Sequence, residues 1–478
     1  MKKLLFTILI FFSFFSTLLP VAKALDVVAK SGYWKDIQEA VDSVAASGGG
    51  NVYIPEGTFN FVNVNESWTG ARVIIPAGVN LFGARTERDS NGSVVEWKTI
   101  LVMPWDMPGD KSYVPPHWFL IAGNRDPSKP SRFSDIALIG YREFNHSAKG
   151  YYLGIRVSGV INFRIDHCRL KEIPDGIFVG VGWDAQPASG VIDHCKLEND
   201  YGIPDPYEQR TTGYGINVYR SESIYQWPNI QDIAGKYNDY TVFIEDCYFT
   251  KWRHCVLGNH GAHYVMRHCK IEHGWAYGEV DQHPIYTSPQ VACRLAEIYD
   301  NQFINLDDWT PTANLLIAQH AGSVIVFNNY FNAAPWGNNN GYWSLLQINK
   351  GVNYNSSFDP QNNYLWNNSY SGTPAALVDG GIENVDYFLY KPEWYTPYPY
   401  PHPLTLEEAK YYVNITGVVI DSSTGLAIEN AIVSCNNTFN STTNSTGGYF
   451  ISIPIAAPFS CNLTVSKEGY LSNSTIIS

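Results

Sequence analysis

A phrase of seven residues that returns six times along the middle of the chain limits the fold more than any other feature. Each copy places one cysteine or asparagine at its fifth position, and these positions are Cys168, Cys195, Cys247, Cys269, Asn301 and Asn329. Their separations are 27, 52, 22, 32 and 28 residues, and most of these match one coil of a solenoid. The longest separation matches two coils, or one coil with large loop insertions. The sequence therefore predicts short strands that stack coil upon coil.

The central residues of the phrases are expected to form one internal column, because equivalent residues of a solenoid lie above one another. Cys168, Cys195, Cys247 and Cys269 take the place that asparagine takes later, so we interpret them as buried small residues rather than metal ligands. Disulfide bonds between neighbouring coils are the alternative. Residues of one column face the same way and seldom offer the geometry for such a bond.

The composition agrees with a fold of many short strands, and the net charge limits which partners the protein can bind. The chain of 478 residues contains 39 glycines and 14% aromatic residues, while only 16% of its residues are charged. The net charge of −13 argues against a nucleic-acid partner, because phosphate binding needs clustered lysine and arginine. An anionic glycan remains compatible with this charge if a local patch of arginine and histidine, or a bridging Ca²⁺, holds it. The sequence specifies no other cofactor.

The first 24 residues predict a secretory signal peptide. Lys2 and Lys3 precede an apolar run over residues 4–21, and small residues before Leu25 favour cleavage after Ala24. An uncleaved membrane anchor is the alternative, because the apolar run is nearly long enough to span a bilayer. We expect a secreted or cell-surface protein without a membrane span after removal of the signal.

Asn-X-Ser/Thr sequons are dense and predict a glycosylated, exported surface. They begin at Asn65, Asn91, Asn145, Asn355, Asn367, Asn414, Asn436, Asn440, Asn444, Asn462 and Asn473. Chance accounts for some of them in an asparagine-rich chain. The crowding from Asn414 onwards is greater than chance suggests.

Residues 31–61 predict a short helix followed by a strand. Its apolar residues share one helical face, namely Ile37, Ala40, Val41 and Val44. Glycines at 48–50 end the helix. This stretch resembles the N-terminal cap of the pectin-lyase-like superfamily, in which a helix plugs the open end of a solenoid. The resemblance implies an all-β fold, a right-handed parallel β-helix, over residues 25–390.

Two further segments follow the predicted β-helix. Residues 391–412 are rich in proline and aromatic residues, which predicts an extended tail and linker. This segment resembles the tail with which many secreted β-helix proteins, pectate lyases included, run back along the solenoid. Residues 413–478 alternate short strands with glycine turns and predict a small β-sandwich. They resemble carboxypeptidase regulatory-like and Cna-B-like domains, and Cys435 and Cys461 are the expected disulfide pair in an exported protein.

One parallel sheet is expected to carry the functional site, as it carries the substrate groove in pectate lyases. Its predicted strands are 177–181, 214–219, 255–258, 283–286, 314–318 and 343–348. The long loops 199–213, 220–239 and 274–282 are expected to flank it. Their aromatic residues are suited to stacking on sugar rings, and packing within the loops is the alternative.

Histidines concentrate within about thirty residues after Arg253, together with carboxylates and arginines. A histidine near its unperturbed pKa can accept a proton at neutral pH, and arginine can neutralise a uronate carboxylate. The catalytic candidates are His283, Asp281, His254 and His260. The substrate-binding candidates are Arg253, Arg294, His263, Trp275, Tyr286, Arg220 and Trp183. A structural role for histidines that stack on successive coils is the alternative.

The leading hypothesis is a protein that binds an extracellular, uronate-containing polysaccharide and cleaves it as a lyase or a hydrolase. The calcium-binding aspartates and arginine segment of pectate lyases are missing from the sequence, so the resemblance does not specify that reaction. A hydrolase would need aspartates such as Asp281, Asp307 and Asp308 on the groove. The alternative is a non-catalytic surface or adhesion protein whose solenoid is a rigid spacer. A transition-metal site ranks third, and we assign no metal ligands.

Overall fold

The computed structural model describes residues 8–9, 25–63, 72–89, 93–103, 117–140, 153–173, 175–180, 186–199, 213–220, 226–252, 254–272, 277–286, 291–304, 315–332, 344–371, 376–406, 411–435, 439–455 and 461–477. These residues belong to two units. The solenoid unit comprises Ala22–Thr405, and the C-terminal unit comprises Leu406–Ser478 with Met1–Val21. No helix among the described residues is long and apolar enough to cross a membrane.

Three long sheets, all paired in parallel, form the solenoid unit, and the chain passes from sheet A to B to C in each full coil. The described strands of sheet A are Val73–Pro76, His117–Ala122, Leu153–Ser158, Asp175–Val179, Tyr214–Tyr219, His254–Asn259, Tyr277–Gln282, Leu315–Gln319, Ser344–Ile348 and Ala376–Asp379. The fold is therefore the predicted right-handed parallel β-helix.

Sheets B and C complete each coil. The described strands of sheet B are Leu25–Val28, Gly50–Tyr53, Val79–Phe82, Arg132–Ser134, Ile161–Asp166, Ser189–Asp193, Thr241–Glu245, His263–Arg267, Leu295–Tyr299, Ser323–Phe327, Asn363–Trp366 and Tyr387–Phe388. Those of sheet C are Gly57–Asn60, Thr99–Val102, Ile136–Ile139, Arg169–Lys171, Lys196–Glu198, Tyr248–Thr250, Lys270–Glu272, Gln302–Ile304, Tyr330–Asn332 and Ser369–Ser371. A short antiparallel pair, Glu87–Arg88 with Val94–Glu96, lies outside these sheets.

Apolar side chains in register fill the interior. One column of sheet A consists of Ile155, Ile177, Ile216, Val256, Val280, Ile317 and Leu346, all fully buried. Burial of each such side chain stabilises the fold by about 1.5–3 kcal/mol. Because every coil repeats the column, the sheets form a rigid frame for the residues on their outer faces.

A helix covers the first coils, as the sequence predicts. It spans Trp34–Ala46 and buries Ile37, Ala40, Val41 and Val44 against the first strands of sheets A and B. The helix ends where Gly48 and Gly49 take φ values of +98° and +121°, a backbone conformation that other residues rarely adopt. Two short α-helical or 3₁₀ segments in the described chain, Ile230–Ile233 and Ser356–Phe358, lie in loops, and a third, Pro403–Thr405, lies in the tail.

The cysteine column is confirmed. Each cysteine carbonyl accepts a hydrogen bond from the next coil: Lys196 N–H to Cys168 at 2.8 Å, Tyr248 N–H to Cys195 at 2.9 Å and Lys270 N–H to Cys247 at 2.9 Å. Asn301 Oδ1 then accepts the N–H of Cys269, and Asn301 donates to Asn329. The six cysteines of the solenoid unit are buried free thiols, so the disulfide alternative is wrong there.

The residue before each member of the column explains the recurring phrase. His167, His194, Asp246, His268, Asp300 and Asn328 all have φ between +52° and +57°. Aspartate and asparagine tolerate this left-handed conformation better than most other residues, and histidine is also enriched there. The fourth and fifth residues of each phrase therefore mark the bend between sheets B and C.

The tail runs back along sheet B, as predicted. Tyr395 Oη–H donates to Glu297 Oε2 at 2.6 Å, and Arg267 donates to the Tyr398 carbonyl at 2.6 Å. His402 N–H then donates to Glu245 Oε2 at 3.0 Å. Successive tail residues thus meet successively earlier coils. The tail thus covers the charged side chains on this face of sheet B and adds hydrogen bonds to them.

The C-terminal unit has two antiparallel sheets that share one core. The first contains Ile8–Leu9, Tyr411–Val419 and Gly448–Ile455, and the second contains Phe439–Thr442, Ile432–Cys435, Cys461–Ser466 and Asn473–Ile477. Side chains from both sheets bury together, and Cys435 and Cys461 form a disulfide with 5.6 Å between their Cα atoms. Apart from Ile8–Leu9, the predicted signal peptide lies outside the described residues.

Candidate active site

Five of the six predicted strands of the site sheet overlap strands of sheet A, and the sixth is wrong. In place of the predicted strand 283–286, the structure has a strand at Tyr277–Gln282, within the predicted loop 274–282. His283 is the first residue after this strand. Pro284 lacks an N–H, so the strand cannot continue through 283–286 as predicted. His283 consequently lies at the end of the strand, where its backbone N–H still donates to the Gly258 carbonyl at 2.9 Å.

Polar side chains form a column at the ends of three adjacent strands of sheet A. His283, His320 and Asn349 each follow a strand directly, and each donates its N–H to the preceding coil at 2.9–3.0 Å. Strands of one sheet are about 4.8 Å apart. The column therefore places two imidazoles and one amide within two strand spacings, or about 10 Å, at one edge of sheet A.

Asp281 lies two residues before His283, on the same face of the strand, between two imidazoles. Its Oδ2 is 3.8 Å from Nε2 of His254, and its Oδ1 is 3.7 Å from Nε2 of His320. Asp281 is 3% exposed and His254 is 4% exposed, whereas the His320 side chain is 26% exposed. No hydrogen bond to Asp281 Oδ1 is found within the described part of the chain. The Asp281 carboxylate thus acts on His320 through charge rather than through a hydrogen bond.

Burial favours the neutral form of His320. Burial lowers its pKa below the ordinary value, the Asp281 carboxylate opposes this shift, and neighbouring His283 adds to it. The Asn349 amide nitrogen lies 3.4 Å from His320 Nδ1 and donates to Gln347 Oε1 at 3.0 Å. An amide NH₂ group only donates, so Nδ1 of His320 accepts and the ring proton is on Nε2, towards Asp281.

His283 has the opposite tautomer. Its Nδ1 lies 2.9 Å from the carbonyl of Pro284. A carbonyl oxygen only accepts, so Nδ1 carries the proton and the neutral ring keeps its lone pair on Nε2. His283 is half-buried, which leaves part of the ring open to solvent. This ring is therefore equipped to accept a proton.

Two exposed tyrosines lie in or next to the segment that begins with His283. Tyr286 is 57% exposed, and its ring lies edge-on to His283 with 5.9 Å between centroids. Tyr354 is 59% exposed, and its N–H donates to the Ile285 carbonyl at 2.6 Å. Asn353 fixes this arrangement, because its side chain bonds both to the Ile285 N–H and to the His320 carbonyl. Exposed rings with polar edges are suited to stacking on sugars.

The two other predicted residues at this end of sheet A make separate contacts. His260 has a φ of +44°, and its ring stacks on Tyr219 at 4.7 Å. The Arg220 guanidinium lies over the Tyr240 ring at 3.9 Å. Tyr240 belongs to the cluster packed on sheet B, so the contact of Arg220 directs it away from Asp281. In the described part of the predicted loop 220–239, Ile230, Ile233 and Ala234 belong to the same cluster.

The structure does not bring His263 or Arg294 to the site. His263 is fully buried on sheet B, 2.8 Å from Glu297 and 3.1 Å from Thr241. Arg294 is buried and donates to the Pro228 carbonyl at 2.8 Å and to Ser323 at 3.1 Å. In each case the chain has already turned from sheet A into sheet B. Closeness in the sequence was a poor guide to closeness in the fold.

Several candidates lie outside the described residues, namely Arg253, Trp183, Trp275, Asp307 and Asp308. In the described chain, no group of three histidine, cysteine or carboxylate side chains is arranged to hold a metal ion. The sequence analysis missed His320, Asn349 and Tyr354. A signal for His320 was present, because the pair Gln-His recurs at 282–283 and 319–320 at the ends of adjacent coils.

No family model and no curated protein matches the chain. Among solved structures it is similar to an alginate lyase from Paenibacillus sp. (10% identity, 74% of this chain, 98% of that chain, TM-score 0.41). It is also similar to the ORF18 protein of Geobacillus virus E2, with 11% identity over 95% of this chain and 87% of that chain and a TM-score of 0.48. A third similar structure is the tailspike protein of E. coli bacteriophage HK620 in complex with a pentasaccharide, with 12% identity over 93% of this chain and 88% of that chain and a TM-score of 0.42. At such identities no functional residue can be carried over to this chain.

Proposed function

We propose that the chain is an exported, carbohydrate-active protein that binds a uronate-containing polysaccharide across sheet A and cleaves it by β-elimination. The observation that carries the proposal is His283, whose Nδ1–H is bound to the Pro284 carbonyl and whose Nε2 can take a proton beside two exposed tyrosines. The proposal of export rests on the signal-peptide pattern of residues 1–24. The disulfide of the C-terminal unit agrees with it, because disulfides form in exported proteins. We further propose that this unit is related to carboxypeptidase regulatory-like domains.

β-Elimination requires a base on one side of an acidic C–H bond. Nε2 of His283 takes the proton from C5 of the uronate, the C5 electrons form the C4–C5 double bond, and the bond from C4 to the glycosidic oxygen breaks. The resulting His283 imidazolium then protonates that oxygen. Tyr286 and Tyr354 hold the sugar rings so that C5 of the uronate faces Nε2 of His283.

The outer face of sheet A is less suited to hydrolysis than to β-elimination. A glycoside hydrolase uses two carboxyl groups about 5–9.5 Å apart. Asp281 and Asp379 lie in one column of sheet A, with Ala318 and Gln347 between them. The two aspartates are therefore three strand spacings, or about 14 Å, apart. Glu279 is fully buried beside Cys255, and burial raises its pKa to about 8, so it is protonated at neutral pH. The described carboxyl groups near His283 therefore favour a lyase.

A binding protein without turnover is the second candidate. Asp281 and His254 are almost completely buried, as expected of groups that hold neighbouring coils together. In that case Tyr286 and Tyr354 would bind a glycan, and His283 would contribute only a contact.

The test uses the mature protein and a panel of uronate-containing polysaccharides, with and without Ca²⁺. Ultraviolet absorbance measures new unsaturated ends, a reducing-end assay measures hydrolysis, and retention on immobilised polysaccharide measures binding. Unsaturated ends support the lyase. Reducing ends without absorbance support a hydrolase, and retention without either product supports the second candidate.

A further inference from the structure

The sequon at Asn444 is folded into a turn that bonds its asparagine to its own threonine. Asn444 Oδ1 accepts hydrogen bonds from the Thr446 N–H at 3.0 Å and from the Thr446 hydroxyl at 2.8 Å. The Gly448 N–H is a third donor at 2.9 Å. Asn444, Ser445 and Thr446 are all exposed, in the connection between Thr442 and Gly448. The folded chain therefore presents this sequon at the surface in one fixed conformation.

This geometry favours chemistry at the Asn444 amide nitrogen. An amide nitrogen is a poor nucleophile because its lone pair is delocalised onto the carbonyl oxygen. Hydrogen bonds to that oxygen stabilise the imidate form, in which charge is on oxygen and the nitrogen has lost a proton. Three donors converge on Oδ1 of Asn444, while Nδ2 remains on an exposed residue. The turn thus prepares the nitrogen for transfer of a glycosyl group.

Two other exposed sequons provide a comparison. Asn355 Oδ1 accepts the Ser357 N–H at 2.9 Å, so this sequon has the backbone part of the same turn. At Asn367 the sequon serine is engaged elsewhere, because Ser369 N–H and its hydroxyl both donate to the Asn329 carbonyl, at 2.9 Å and 3.4 Å. These hydrogen bonds between neighbouring strands of sheet C therefore hold Ser369 away from Asn367.

We propose that Asn444 is a site of N-linked glycosylation on the folded protein, with Asn355 as a second site, and that Asn367 is unmodified. The donor is a lipid-linked oligosaccharide. The asparagine nitrogen forms a bond to the sugar C1, the bond from C1 to the lipid phosphate oxygen breaks, and the phosphate leaves with the electron pair. The amide proton passes to a base of the transferase. In the cell this requires export, which is part of the proposed function.

The experiment uses purified, folded full-length protein, so its outcome does not depend on export. The protein is incubated with a purified oligosaccharyltransferase that accepts Asn-X-Ser/Thr and with its lipid-linked donor, and glycopeptides are quantified by mass spectrometry. Synthetic peptides of residues 442–448 and 365–371 are the unfolded controls. Asn444→Gln is the control variant for the assignment of the glycopeptide.

In the folded protein we expect Asn444 to be modified at least about tenfold faster than Asn367, since the turn removes the cost of ordering the sequon. The two peptides should react at similar rates. Equal rates at Asn444 and Asn367 in the folded protein would overturn the proposal. So would an unmodified Asn444 in folded protein when its peptide reacts.

Discussion

Arg267 and Glu245 form an ion pair on sheet B in which both side chains are fully buried beneath the tail. Arg267 also donates to the carbonyls of Tyr398 and Pro399, and Glu245 accepts the His402 N–H. The pair therefore joins two neighbouring coils to the tail. Its energetic role follows from burial, because a charge that loses its partner in this position cannot reach water.

Loss of this pair should destabilise the solenoid unit strongly. Arg267→Ala leaves Glu245 buried without its cation, and we expect a loss of about 3–5 kcal/mol in the free energy of unfolding. Chemical denaturation followed by circular dichroism measures the change. Lys30→Ala, which breaks the exposed ion pair with Glu39, is the control and should unfold at the same denaturant concentration as the wild type. An equal effect of both variants would contradict the interpretation.

Acid should weaken the attachment of the tail through His402. Burial lowers the pKa of His402 to about 3, with the Arg267 and Arg164 charges adding to the shift and Asp193 opposing it. An unfolded histidine titrates near 6.5, so between about pH 6.5 and 3 the unfolded chain binds the proton and the folded chain does not. Stability is therefore complete above pH 6.5 and decreases as the pH falls.

His402→Asn tests this, because asparagine keeps an acceptor for the Leu404 N–H but does not titrate. Melting temperatures are measured from pH 7 to pH 4 for both proteins. We expect the wild type to lose more stability than the variant over this range. If the melting temperatures of both proteins fall equally between pH 7 and pH 4, His402 is not the cause of the loss of stability in acid.

Glu279 should make the protein less stable as the pH rises from about 4.3 to 8. Burial raises its pKa to about 8, whereas an unfolded glutamate titrates near 4.3, so the folded state holds the proton more tightly. Stability from this group is present below pH 4.3 and is lost as the pH rises towards 8. Glu279→Gln removes the titration, and we expect the variant to gain stability relative to the wild type between pH 5 and 8. A constant difference in melting temperature across this range would contradict the assignment.

How far the fold could be predicted depended on which residues repeat. Cys168, Cys195 and Asn301 fix the coil because successive coils place a thiol or amide side chain at the same bend between sheets B and C. The site could be predicted only in part. Asp281 and His283 were recognised by their chemistry, but His320 is 37 residues further on and approaches them only because sheet A pairs Gln282 with Gln319. His263 was misplaced because the sequence did not show where the chain turns into sheet B.

The thiols provide a test of the column itself. The six thiols of the solenoid unit are all buried, so an alkylating reagent cannot reach them in the folded protein. The chain has eight cysteines, of which two form the disulfide and six are buried thiols. Iodoacetamide should therefore modify none in the native protein, six after denaturation and eight after denaturation with reduction. Mass spectrometry gives the counts, and native alkylation of any column cysteine would contradict the packing.

The proposed function depends most directly on the assignment of His283 as the base. On the polysaccharide that yields the highest signal, the rate of formation of unsaturated ends is measured for the wild type, His283→Ala and the control His194→Gln. The His194 side chain is 26% exposed, like that of His320, but lies at a bend between sheets B and C. We expect His283→Ala to lose about 10²–10⁴-fold in rate while binding and melting temperature are retained, and His194→Gln to remain active. An undiminished rate in His283→Ala would contradict the account.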